Sequence, residues 1–315
     1  MKKLLLSLIL VLLFSGCVGL PFDIPFFSTE GPKVKELPSD VISIHNITVL
    51  PSTSVRVKDE FSIYFELLNQ DEFKDIDVGY NLYDTGLCTP DGGDPDISSG
   101  STSNPDWTTL SPKETRLVEW TFKAPSADDI ANIKTTCPIK FKFDFSHNAT
   151  SEIDVLVIEE DHLRELQRAG RSTTFTPTVN IGRGPIKIYF DFGTSLPIRS
   201  DSSIPVYLVV QDKGTGLLRK IESGTFEITF PSDFVLSDLD CPFFDDCSAR
   251  DSDNNYVCTN DEDISIINKK SLEIRCAGFK TPSTLSPGPE KTYFIKATID
   301  YDYYAIGSVN VEVKP

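Results

Sequence analysis

Seven cysteines, three histidines, two Asn-X-Thr triplets and an Asp-rich loop are the parts of this sequence with the types and spacing to do chemistry. The cysteine number is odd, so an exported chain leaves one thiol without a partner. Cys17 stands apart near the N-terminus; Cys88 and Cys137 follow in the first half, and Cys241, Cys247, Cys258 and Cys276 in the second. An even set in each half is the pattern of disulfides closed locally in an oxidising compartment. Zinc is not expected, because no two cysteines have the two-residue spacing of a thiolate hook. Four cysteines allow three pairings, which sequence does not decide; we carry forward the nested one, Cys247 with Cys258 inside Cys241 with Cys276.

The loop Asp251-Ser-Asp253-Asn-Asn255, with Glu262 eleven residues after Asp251, has the ligand order of a calcium loop. Tyr256 occupies the position where that loop needs glycine, so a solvated acidic turn is the competing expectation. Asn46-Ile-Thr48 and Asn148-Ala-Thr150 are acceptor triplets for N-glycosylation if the chain is exported. A histidine-based catalytic centre would have to use His45 or His147, since His162 falls in a helical stretch; a surface strand or turn position is expected for each of the two. Paired carboxylates for a hydrolase leave no sequence spacing to read, and such a site would need a concave pocket and an acid raised by burial. No P-loop, dinucleotide-binding glycine pattern or metalloprotease helix occurs, and no cofactor is expected.

The elements that must position these groups begin with Lys2, Lys3 and the apolar run 4–14. The run has the length of a signal-peptide core and is too short to span a bilayer, which takes roughly 20 residues. Residues 1–16 are therefore expected to be a signal peptide. Residues 17–40, with prolines at 21, 25, 32 and 38, have no helical period and are expected to form an extended tether. A formal net charge of -17 and a pI near 4.6 argue against nucleic acid, whose binding needs clustered Lys and Arg.

Strict apolar/polar alternation marks strands at 61–67, 76–82 and 139–145, with others near 42–50, 55–57, 117–122 and 153–158. About seven short strands separated by turns predict an antiparallel β-sandwich over 41–158. Trp107 is expected in a loop, which leaves the immunoglobulin tryptophan unmatched. Residues 159–176 read as a short helix and linker, with acids first, bases last and Gly170 as a stop. Alternation returns at 186–192, 206–210, 226–230, 272–276, 293–299 and 309–313, predicting a second sandwich over 177–315 with a disulfide-stapled acidic loop. The fold class is all-β, with two such sandwiches, and each half is expected to lack a buried cluster of titratable groups.

Ser15 and Gly16 directly before Cys17, with Leu13-Phe14 ahead of them, resemble the lipobox of prokaryotic lipoproteins. That resemblance implies a diacylglyceryl thioether on Cys17 and cleavage before it, although Phe14 stands where the family usually has leucine. With Gly182-Arg-Gly-Pro185 and Tyr293-Phe-Ile-Lys-Ala297, the whole chain resembles archaeal-type surface lipoproteins built from immunoglobulin-like domains. It implies a non-enzymatic module, lipid-anchored on the extracytoplasmic side of the cell membrane. The expected work is adhesion, envelope assembly or binding of an envelope protein or glycan; the alternative is an envelope hydrolase.

Overall fold

Period-two alternation runs further along this chain than its turn-forming residues imply. A computed structural model describes residues 33–90, 106–192, 196–218, 220–236, 240–244, 246–271 and 273–315. The signal peptide, Cys17 and the tether up to residue 32 lie outside the described residues. In the stretch from 137 to 157 every odd-numbered side chain faces inward, His147 included. The strands expected at 139–145 and 153–158 are therefore one strand, Thr135–Ile158. Those expected at 293–299 and 309–313 are likewise one, Glu290–Lys314. Ser146, Asn148, Asp300, Asp302 and Gly307 imitate turns in sequence, but none shifts the register, and the pleat continues through them. The two strands pair antiparallel without interruption, from Ile158 opposite Glu290 to Thr135 opposite Val313.

Around this ribbon the strands sort into three sheets. The large one holds β1 (Lys33–Glu36), β3 (Ser54–Arg56), β5 (Ile76–Asp84), β7 (Asp106–Leu110), β9 (Thr135–Ile158), β10 (Thr178–Ile181), β12 (Ile198–Arg199), β15 (Phe226–Phe230), β16 (Asp246–Arg250), β17 (Tyr256–Thr259) and β21 (Glu290–Lys314). A second sheet has the order β2-β4-β8-β6, from Ile42–Leu50, Glu60–Asn69, Thr115–Lys123 and Thr89–Pro90. The third contains β11 (Ile186–Asp191), β13 (Ser203–Asp212), β14 (Lys220–Ile221), β18 (Ile264–Ile267), β19 (Lys270–Ser271) and β20 (Ile274–Lys280). Trp107, expected in a loop, lies on β7, which pairs with β5.

Both smaller sheets cover the odd-numbered face of the ribbon, one at each end. Phe65 of β4 stacks on Phe141 of β9 with ring centroids 5.0 Å apart, and Trp120 of β8 closes over both. At the other end Phe279 of β20 meets Phe230 of β15 at 5.3 Å. Each cover thus closes a sandwich against its own half of one shared wall. The boundary expected at 159–176 consequently parts the covers and not the wall, and all described residues fall within a single compact unit, Pro32–Pro315. The expected helix is present as α1 (Glu160–Arg168), with Leu163 buried and Gly170 in left-handed conformation just past its end.

The expected tether is shorter than read. Lys33–Glu36 is strand β1, laid parallel on the edge of β10 in register from Lys33 opposite Thr178 to Glu36 opposite Ile181. What fixes it there is Lys187 of β11, whose side chain is fully buried. Its ammonium donates to the carbonyl oxygens of Leu37 at 2.5 Å, Gly182 at 2.9 Å and Pro38 at 3.4 Å. Burial pulls the Lys187 pKa down to about 8, against the opposing pull of Glu36.

Candidate functional site at the seam of the ribbon

One hydrophobic core runs under both covers, and between them polar groups gather on the inward face of the ribbon. His147 of β9 and Tyr301 of β21 are cross-strand partners. The imidazole is 5% exposed, and its Nε2 lies 3.5 Å from Oδ2 of Asp71, itself 9% exposed. Tyr301 Oη is 3.4 Å from His147 Nδ1. The Ile186 backbone N–H donates to the same phenol oxygen. Asp71 is held by its own turn: Oδ1 accepts the N–H groups of Phe73 at 2.8 Å and Lys74 at 3.0 Å. Asn69, also buried, locks that turn by donating to the carbonyls of Lys74 and Leu110.

Electrostatics follow from this enclosure. Burial pushes the His147 pKa down and nearby Lys74 adds to it, with Asp71 opposing. For Asp71 burial acts upward, but the two turn N–H groups and His147 outweigh it and hold its carboxyl below the ordinary range. Burial raises the Tyr301 and Tyr303 phenols far above their usual values. Tyr303 donates to Oδ1 of Asp212 at 3.0 Å, a carboxylate with no exposed side-chain surface. Gly184 closes the seam from above. Its backbone sits at φ +127, and a Cβ there would come within 2.8 Å of Tyr301 Oη and 3.3 Å of His147 Nδ1. Next to it Arg183 reaches Glu72 at 3.8 Å. The expectation that no buried titratable cluster exists is therefore corrected, as is the surface position expected for His147.

A groove of about 580 Å³ opens over this stretch of the ribbon, lined by the even-numbered Ser146, Asn148, Asp300 and Asp302, by His147 and Tyr301, and by Lys74 and Lys220. Ser146 and His147 are neighbours in sequence but project to opposite faces. Ser146 Oγ donates to Asp302 at 2.6 Å, so it is not paired with the imidazole as a serine nucleophile would be. Among the described residues, every carboxyl whose pKa is displaced moves downward, including Asp71, Asp84, Asp233 and Asp263.

Three disulfides are present: Cys88–Cys137, Cys241–Cys276 and Cys247–Cys258, so the second-half cysteines are nested. Asp251 lies in the hairpin turn between β16 and β17. Its Oδ1 accepts the N–H groups of Asp253 at 2.9 Å and Asn255 at 2.8 Å, and its Oδ2 accepts from Asn255 Nδ2 at 3.1 Å. The carboxylate is used to build the turn. Glu262 is exposed beyond β17. Among the described residues no group of three or more His, Cys, Asp or Glu is placed to hold a metal ion. His45 is exposed on β2 beside Ser43, and His162 on α1 lies 3.7 Å from Glu165. Asn46 is exposed on β2, whereas Asn148 is half-buried in the groove. Lys187 escaped the sequence reading, because in Ile186-Lys-Ile188-Tyr-Phe190 the alternation assigns it to the solvent face.

No family model matches the chain. No curated protein matches it. Among solved structures it is similar to the ASH / PapD-like domain of human CEP192, PapD-like domain 7, at 14% identity, covering 35% of this chain and 75% of that one, with a TM-score of 0.21. It is also similar to a mutant of Bacillus subtilis oxalate decarboxylase OxdC at 7% identity, covering 87% and 81%, with a TM-score of 0.11. What stands is the fold class: a mostly β-sheet protein of several antiparallel sheets, in sandwich arrangement, with disulfides. Among the described residues no helix is long and apolar enough to cross a membrane.

Proposed function

We propose that this protein is a non-enzymatic surface module, anchored through a lipid on Cys17 to the extracytoplasmic side of the cell membrane. Its rigid two-ended sheet is presented there for adhesion, envelope assembly or the binding of an envelope protein or glycan. One observation carries the reading: the six cysteines after Cys17 pair entirely among themselves. The thiol behind the apolar run is the one left over for acylation, and stable disulfides belong to an oxidising compartment. The outward face of the ribbon supplies the binding ground, with its groove of carboxylates, lysines and amides.

The test is mass spectrometry of the N-terminal peptide from protein purified out of source-cell membranes, with Cys17→Ser in parallel. A peptide beginning at Cys17 and carrying a diacylglyceryl thioether is expected, and the serine variant leaves the membrane fraction. An uncut leader with a free thiol, or a serine variant that stays in the membrane with its leader processed as before, overturns the reading.

A further inference from the structure

The two glycosylation triplets, equal in sequence, sit in opposite environments. Asn46 lies at a bulge in β2. The pairing with β4 runs regularly from Ile42 opposite Asn69 to His45 opposite Glu66, then resumes one residue out of step with Thr48 opposite Tyr64. Asn46 itself is left-handed at φ 53, a conformation asparagine accepts more readily than other residues with a side chain. The bulge lifts Asn46 and Ile47 out of the ladder, and residues 45 to 48 are all exposed. β2 is an end strand of its sheet, so nothing in that sheet covers its outer edge. Thr48 Oγ1 donates to the Asn46 carbonyl at 3.1 Å, keeping the hydroxyl of the triplet folded toward its asparagine.

Asn148 is placed otherwise. It stands mid-ribbon on β9, paired with Asp300, and its Oδ1 accepts from Lys74 Nζ at 2.7 Å. Its threonine, Thr150, is roofed by Gly182, whose N–H donates to the Thr150 carbonyl at 2.8 Å. A Cβ on that glycine would collide with the Thr150 hydroxyl, so the Gly182 backbone packs directly over the threonine of this triplet, which is half-buried.

We propose that Asn46 is an N-glycosylation site, that Asn148 is not, and that the sugar shields the open edge of β2. The donor is an oligosaccharide carried on a polyprenyl diphosphate, transferred by a membrane oligosaccharyltransferase. Asn46 Nδ2 forms a bond to the anomeric carbon as the bond from that carbon to the phosphate oxygen breaks. The lipid diphosphate leaves with the electron pair, and one amide proton passes to a base of the transferase. The remaining N–H can keep the bond that Asn46 Nδ2 makes to Glu66 Oε2, at 2.8 Å. An edge strand that carries a bulge and a bulky hydrophilic group cannot accept another strand, which here covers the exposed Ile47 as well.

The inference rests on export as proposed above, and one digest separates the two. Protein purified from source-cell membranes is cleaved and its peptides weighed, with Thr48→Ala and Asn148→Gln as companions. Thr48→Ala removes the triplet while leaving Asn46 in its left-handed position. The expected result is a glycan mass on the Asn46 peptide, full loss of it in Thr48→Ala, and an Asn148 peptide of unmodified mass, with Asn148→Gln unchanged in glycan content. A bare Asn46 in protein whose Cys17 is acylated and whose disulfides are formed overturns this inference alone, as does a glycan on Asn148 with none on Asn46. An unprocessed leader with reduced cysteines overturns the surface reading and this one together.

Discussion

Replacing Lys187 by methionine tests whether the arm before residue 40 is held by a charge that pays a desolvation cost. The methionine fills a similar volume but cannot donate to the carbonyls of Leu37, Pro38 and Gly182. At neutral pH two effects oppose each other: the variant escapes the burial of a charge, yet strands buried acceptors at about 1–3 kcal/mol each. The pH slope separates them. With a pKa of about 8 in the folded protein and about 10.4 unfolded, the unfolded chain keeps a proton that the folded one has released between those values. Stability therefore rises with pH through this window, and the penalty is fully present below pH 8. Linkage gives about 2 kcal/mol of gain between pH 7.5 and 9.5. Above that, Tyr189, pushed up to about 12 by burial and by its bond to Glu36, acts in the opposite direction. Urea unfolding at half-unit pH steps should show that gain in the wild type and not in Lys187→Met. Hydrogen exchange on the same samples should show the N–H groups of Lys33 and Leu37 exchanging at least tenfold faster in the variant, with β10 still protected by β9. Equal pH slopes together with equal arm protection would refute the reasoning.

At the seam, the depressed pKa of His147 means that the unfolded chain takes up a proton which the folded one refuses. Stability should fall as pH drops through 6.5, and His147→Asn should flatten that decline between pH 6.5 and 5 when unfolding is compared at matched pH. Gly307 lies beneath the Phe141 ring, where a Cβ would come within 2.0 Å of a ring carbon. Gly307→Ala should cost about 1–3 kcal/mol in the same urea assay, and unchanged stability would mean the ring has room to move.

The local grammar of this fold was open to reading. Alternation at 61–67 and 76–82 marks β4 and β5, the charge order from Glu160 to Arg168 marks α1, and the division of cysteines matches the observed pairing. What was hidden depends on residues far apart in the chain. Ser146 and Asn148 look like a turn until Asp302 and Lys74 are seen to engage them. His147 looks like a surface residue because Asp71 and Tyr301, which enclose it, are distant in sequence. Lys187 obeys the polar half of its alternation, but the arm folds back over that face and supplies carbonyls to an ammonium that water would otherwise solvate. Pattern reading locates elements by their own periods; it carries no information on which elements will cover which.

The uninterrupted ladder between β9 and β21 also sets the order in which the protein can be made. A chain that emerges from its N-terminus presents β9 long before β21. Until β21 arrives, one entire edge of β9 has no partner, and neither cover has a complete wall to close against. The halves cannot fold one after the other as independent beads would. Closure waits on contacts of very long sequence separation, the kind that fold slowly and leave strand edges exposed meanwhile. Removing part of β21 would take away pairing along the wall common to both sandwiches, so arrival of that strand is the gate to the native state.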